Sequence, residues 1–422
     1  MLIKKNIDEK PIHKSEVKKI LFIFPMVFLI FGIVMSIIST DFIDGFVRIS
    51  KSPTILITDF LELGGIGPAF INAAIIGLIN LFLLKKFKMK INGLLIAAFM
   101  TLLGFSFFGK NLINIVPLYI GGYLYAKQQK IHMRDVIVII MFSTGLSPII
   151  SELMFSSIIA EPYNIIFGFL VGILIGYVIG PLSAHMLKFH EGYNLYNVGF
   201  TAGIVGTVFT SVLRALDKEV EPVRILYERG DLHIKILLTG LFLSLVIIGF
   251  WVNKNTLKDY KNIFTYSGRT VTDFTYLLGY GVTFVNMGIM GLLSVALVTI
   301  LGGILNGPVL AAIFTIVGFG AFGKHPKNTI PVMLGVIIAA VYLGLDLSST
   351  GIIISILFAT TIAPIAGTHG PIIGIVAGML HLAVVTNIGI VHGGINLYNN
   401  GFSGGLVAGF LVPIIDAFKK GD

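Results

Sequence analysis

Cysteine is absent from this 422-residue chain. Disulfides, thiolate nucleophiles and Cys-ligated metals are therefore excluded, and cysteine usage says nothing about redox compartment. Charge is also scarce. Asp, Glu, Lys and Arg make up 12% of the residues, about half of the roughly 25% usual in soluble domains. No HExxH occurs. His185, His369 and His381 lack metal-ligand spacing with any acid. Without an acid–base or nucleophile set, an enzyme is not indicated, and no cofactor or metal is expected.

What the chain has in excess is apolar sequence. Hydrophobic residues account for 55% and mean hydropathy is +0.94. Apolar runs of about 20 residues, the length that crosses a bilayer, recur from end to end. The expected fold is an all-α polytopic membrane protein, with the lipid bilayer as its first partner. The 49 glycines fit close helix packing in lipid. The formal charge of +9 reads as Lys and Arg in cytoplasmic loops, and no nucleic-acid partner is indicated. The basic start, MLIKKNIDEKPIHKSEVKK, reads as a cytoplasmic tail before a retained first helix.

One phrase is written twice: HEGYNLYNVGF from His190 and HGGINLYNNGF from His392. The repetition extends further. Thr58-Asp59-Phe60 answers Thr272-Asp273-Phe274, and Asn92-Gly93 answers Asn306-Gly307. Thr101, Gly104 and Phe105 answer Thr315, Gly318 and Phe319, and Phe108-Gly109-Lys110 answers Phe322-Gly323-Lys324. These share a register of 214 residues, which becomes 202 for the doubled phrase, after an insertion in the first half around 151–163. Glu152 and Glu161 fall there and read as loop residues. The chain divides into a first transmembrane repeat (1–213), a charged linker (214–235) and a second repeat (236–422).

Each repeat holds seven apolar segments, at roughly 20–39, 68–84, 91–108, 112–126, 136–155, 163–187 and 194–213, then 236–252, 282–301, 307–322, 328–345, 351–366, 371–391 and 396–416. That makes about 14 membrane segments, the shortest being candidates for half-helices or re-entrant loops. Seven per repeat inverts the second repeat relative to the first. With both termini inside, Lys and Arg divide 22 to 8 between inside and outside; with parallel repeats the division is 19 to 11. The positive-inside rule favours inversion.

Inverted repeats are a transporter layout, with the site at the repeat interface on interrupted helices. Asn194 and Asn197, like Asn396 and Asn399, are three apart, which on a helix places both amides on one face. With Tyr196 and Tyr398 they are the expected contacts for a small polar solute, or oxygen donors to a cation. The alternative is an interfacial turn and cap. His190 and His392 are candidates for proton coupling. Asp59 and Asp273 are coupling candidates too, although N-capping is the favoured role. Lys110 and Lys324 are favoured as interfacial lysines that snorkel, an anion contact being the other reading. Pro148 and Pro364, behind Ser143-Thr144 and Thr360-Thr361, mark kinks or an ion site.

The doubled NLYNxGF and FGK…N…P phrases resemble a bacterial membrane-protein family known only as a domain of unknown function. The resemblance implies one family unit per half and a bacterial inner membrane. The seven-plus-seven layout is similar to that of nucleobase–ascorbate and sulfate-type transporters, whose characteristic motifs do not occur here. The functional expectation is a secondary transporter of a small polar solute, coupled to protons or sodium. A passive channel or a non-transporting scaffold or sensor docking through the linker are the alternatives. Substrate and oligomeric state are not legible.

Overall fold

A computed structural model describes residues 14–39, 42–252 and 256–419. Residues 1–13 of the basic N-terminal tail, Lys254 and Lys420, which entered the charge count, lie outside the described residues, while the tail's Lys14, Lys18 and Lys19 belong to the first helix. The first repeat contains α1 (Lys14–Ser39), α2 (Phe42–Lys51), α3 (Phe60–Leu63), α4 (Ile66–Lys86), α5 (Gly93–Phe105), α6 (Leu112–Gln128), α7 (Met133–Ser143), α8 (Ser147–Phe155), α9 (Tyr163–Met186) and α10 (Asn197–Ala215). The second contains α11 (Leu232–Val252), α12 (Thr256–Tyr260), α13 (Phe274–Leu277), α14 (Gly279–Ile300), α15 (Gly307–Phe319), α16 (Pro326–Tyr342), α17 (Thr350–Phe358), α18 (Ala363–His369), α19 (Pro371–Ile388) and α20 (Asn399–Lys419). Helices α7 and α8 form one interrupted rod, joined by a single 3₁₀ turn, and α17 and α18 form its counterpart. The described residues include no strand.

Ten helical stretches are long and apolar enough to cross a membrane, and the chain is a multi-pass membrane protein. Four of the fourteen expected segments are shorter. Helices α5 and α15 have 13 residues each, about 20 Å at 1.5 Å per residue, against a hydrocarbon core of about 30 Å. Helices α6 and α16 have 17 residues each.

The short helices α5 and α15 organise the centre. A Cβ added at Gly104 would lie 3.0 Å from the Ala311 Cα, and one added at Gly318 would lie 3.0 Å from the Ala97 Cα. These are one contact seen from each repeat, and they fix α5 and α15 as antiparallel neighbours. Helices α10 and α20 also cross antiparallel: Gly203 abuts Phe402, Gly405 abuts Phe200, and Gly199 meets Gly401 where they cross. One hydrophobic core runs through both repeats, with Phe24, Phe28 and Phe107 ringing Phe314.

The insertion of the first half lies in the connection between α8 and α9, where its counterpart is a single glycine, Gly370. Glu152 is not in that loop. It sits in the last turn of α8 and is 5% exposed, because the helix that begins at Ser147 runs on past it. Pro148 and Pro364 occupy the first turns of α8 and α18, where a missing N–H costs nothing, so they restart a helix rather than kink one.

Gly104→Leu and Gly318→Leu are each expected to force the antiparallel pair apart, costing about 1–3 kcal/mol and lowering the melting temperature in detergent. Gly240→Ala, with open space at its Cβ, serves as the control and should leave the melting temperature unchanged.

Candidate functional site

The FGK loops come first, because they place the lysines. After α5 the chain turns through residues 106–110 before α6 begins. Its free carbonyls need partners, as bilayer-embedded backbone must be satisfied internally. Asn72 supplies them, its amide donating to the Ser106 carbonyl at 2.7 Å and the Lys110 carbonyl at 2.9 Å. Asn286 does the same for Gly320 and Lys324, at 2.7 and 2.8 Å. Gly109 and Gly323 have φ of +85° and +89°, a conformation that glycine adopts without steric cost. The turn aims the following lysine inward.

Lys110 and Lys324 do not snorkel. Both are 0% exposed. Lys110 Nζ donates to the Tyr398 hydroxyl at 2.6 Å, and Lys324 Nζ donates to the Tyr196 hydroxyl and to Thr360 Oγ1, the latter at 2.7 Å. Each lysine is thus held by a tyrosine of the other repeat. Lys110 also lies over the Phe105 ring and Lys324 over the Phe319 ring, 5.0 and 5.3 Å from the centroids. Among the described residues neither lysine makes an ion pair with a carboxylate. The turns that bury them follow α5 and α15, whose last residues, Phe105 and Phe319, are themselves buried, so neither amino group reaches solvent.

The doubled phrases meet. The Asn194 side chain donates to the Gly401 carbonyl at 3.0 Å. Leu195 N–H donates to the Thr361 carbonyl at 2.9 Å, and Leu397 N–H to the Gly145 carbonyl at 3.0 Å. Each phrase is therefore pinned to the 3₁₀ interruption of the opposite repeat. Asn194 and Asn197 do not share a helix face, nor do Asn396 and Asn399. Helices α10 and α20 begin only at Asn197 and Asn399, and the residues before them are turns, glycines at 192 and 394 having positive φ. The asparagines divide by role. Asn194 and Asn396 are fully buried and fold their Oδ1 back onto the Tyr196 and Tyr398 amides, at 3.1 and 2.9 Å. Asn197 and Asn399 pair with His190 and His392, at 3.1 and 2.8 Å, and tie to the Ser183 and Val385 carbonyls.

Asp59 and Asp273 are caps twice over. Asp59 accepts from Leu61 N–H at 2.9 Å and caps α3; Asp273 accepts from Thr275 N–H at 3.0 Å and caps α13. Each also serves the other repeat. Asp273 accepts from Gly93 N–H at 3.0 Å, at the start of α5. Asp59 faces the Gly307 N–H at the start of α15 and accepts from Tyr227 N–H of the linker at 3.0 Å.

A cavity of about 350 Å³ straddles the crossing. It is lined by matched pairs: Thr101 and Thr315, Phe105 and Phe319, Phe142 and Phe358, Tyr196 and Tyr398. Of the four asparagines expected at the site only Asn197 lines it, with Asn400 beside it, and the lysines stand behind the tyrosines. A second cavity of about 760 Å³ is its repeat counterpart. Val138, Ala184, Asn197, Val271 and Phe322 of the first answer Ile354, Thr386, Asn399, Ile57 and Phe108 of the second. Phe358, Leu397 and Asn400 line both and form the partition between them. The second cavity differs at its rim, where the linker residues Val220, Pro222, Arg224 and Leu226 lie, held to the first repeat by Ile57 N–H on the Val223 carbonyl at 2.7 Å. Asp346 stands on the same rim, its carboxyl held below the usual carboxylate range by the Ser348 hydroxyl and amide. The aromatic lining was not singled out from sequence as a site. Its signal was present in the repeat register, which matched Thr101 with Thr315 and Phe105 with Phe319.

Tyr398→Phe removes the hydroxyl that Lys110 donates to and is expected to cost about 1–3 kcal/mol. Tyr196→Phe should cost less, because Lys324 keeps Thr360 as an acceptor. Melting curves of the two variants in detergent check the order.

No curated protein and no solved structure matches the chain. The family described as Protein of unknown function (DUF1576) matches twice, over residues 38–215 and 252–417. The two matches coincide with the two halves that exchange lysine–tyrosine pairs and helix caps, and the chain belongs to the DUF1576 family in two tandem copies.

Proposed function

We propose that the protein is a secondary transporter of a small solute in a bacterial cytoplasmic membrane, with both termini inside. The observation that carries this reading is the pair of matched cavities that reach one central cluster. In an inverted-repeat transporter, access from one side is exchanged for access from the other when the two halves swap conformations about a central site. Such a protein needs two routes related by the repeat symmetry and a partition of a few side chains. The cavities of 350 and 760 Å³, with Phe358, Leu397 and Asn400 between them, have that relation.

Inversion is part of the proposal. It is supported by the antiparallel packing of α5 on α15 and of α10 on α20, and by the division of basic residues between loops. Parity supports it as well. If α5 and α6 dip in and return as a re-entrant hairpin, each repeat crosses five times; if they span, it crosses seven times. Both counts are odd, and both leave the second repeat upside down. Unequal cavity volumes suit a state open further to one side. The coupling ion in this reading is a proton or sodium. Asp59 and Asp273 are occupied as caps by backbone donors. That leaves the phrase histidines, whose Nδ1 atoms have no hydrogen-bond partner outside their own residue, as the better placed carriers.

The chain's lack of cysteine makes the test direct. Ala184 and Thr386 are exposed repeat counterparts, each lining one cavity. Ala184→Cys and Thr386→Cys are expected to react with a membrane-impermeant thiol reagent from opposite sides of sealed vesicles. Val198→Cys, beside the crossing, is expected to react from either side. Reaction of the first two from the same side, or of the third from one side only, would overturn the proposal.

A further inference from the structure

The central cavity carries a mismatch between its lining and the basic side chains behind it. Seven aromatic rings wall it: Phe105, Phe142, Tyr196, Phe319, Phe322, Phe358 and Tyr398. Such a wall favours a flat or apolar body over a strongly hydrated one. Two fully buried lysines stand directly behind the tyrosines, bonded to their hydroxyls. No Asp or Glu lines the cavity. A buried basic side chain keeps its charge only when it is paired, and here, among the described residues, no ion pair reaches either lysine.

We infer that the central cavity binds an organic monoanion with an aromatic or comparably flat apolar body, its carboxylate directed at the Tyr398–Lys110 and Tyr196–Lys324 pairs. This rests on the transport reading and names the substrate class of the same site. The tyrosine hydroxyl accepts from lysine and keeps its own hydrogen to donate, Thr144 standing beside Tyr398 and Thr360 beside Tyr196 as its partners in this state; an arriving carboxylate is the stronger acceptor for that hydrogen and has a basic side chain behind it. The arriving carboxylate supplies the counter-charge that the protein does not. Thr101 adds a donor. It is 3% exposed, lines the cavity and has a hydroxyl without a partner, whereas its counterpart Thr315 is bonded to the Ala311 carbonyl at 2.7 Å. An organic cation of the same shape finds no carboxylate in the lining and only basic side chains behind it. A neutral analogue gains the rings but no charge-assisted hydrogen bond.

The test uses the full-length Val198→Cys protein in vesicles. Its rate of alkylation by N-ethylmaleimide is measured with millimolar 3-phenylpropionate, 3-phenylpropanamide or 3-phenylpropylamine. The expected result is protection by the acid, with an apparent affinity about tenfold or more above that of the amide, and none by the amine. In a Lys110→Met/Lys324→Met background the acid should lose this advantage. Should that variant fail to fold, the ranking of the three probes on the unmodified pairs decides alone. Equal or better protection by the amide or amine, or protection by none of the three, overturns the inference. The sidedness of Ala184→Cys and Thr386→Cys separates the two failures. If opposite-sided labelling persists, the substrate class is wrong and the transport reading stands; if it is lost, the transport reading itself falls.

Discussion

An amino group withdrawn from water must be given acceptors, and here the acceptor comes from the other half of the molecule. Lys110 reaches Tyr398 and Lys324 reaches Tyr196. To make those contacts the chain interrupts helices at several places near the crossing: α5 stops short of α6, α7 breaks before α8, and α10 begins only after a run of turns, with the same breaks in the second repeat. Each interruption frees backbone groups, and each is answered by a specific side chain or by the opposite phrase. Asn72 and Asn286 serve the FGK turns, and the Leu195 and Leu397 amides serve the 3₁₀ turns.

The same logic governs the two short helices. Helices α5 and α15 begin at Asn92 and Asn306, which cap them locally. The carboxylates of Asp273 and Asp59 then come across from the other repeat to their first amides. A negative group at a helix N-terminus is favourable, and more so where water is excluded. The aspartates thus have a structural role that accounts for their presence near apolar sequence.

Much of this was legible in the sequence. Composition established the membrane class, and the register of 214 residues identified the repeat, the polar phrases and the residues that would prove to be symmetry mates. Two things were not legible. The spacing of Asn194 and Asn197 is compatible with a helix, but the glycine at 192 lets the chain turn, and the local pattern does not say which prevails. The lysine that ends each FGK phrase resembles any lysine at a helix end. Whether it lies at an interface or at the protein centre depends on the depth at which α5 stops. A 13-residue helix reveals that only when its antiparallel partner is seen beside it. The aromatic wall was hidden for the same reason, since Phe in apolar segments is ordinary and its convergence is a tertiary fact.

The exchange of lysines and caps has a consequence for how such a chain drifts. Neither half is complete: separated, the first would lose the hydroxyl partner of Lys110 and the carboxylate at Gly93, and the second the hydroxyl partner of Lys324 and the carboxylate at Gly307. Two copies that depend on each other in this reciprocal way are no longer free to diverge one at a time. A change at Lys110 is felt first not at the neighbouring positions but 288 residues away, at Tyr398. Duplication usually releases one copy from constraint; here the contacts across the crossing bind each copy to the spelling of the other.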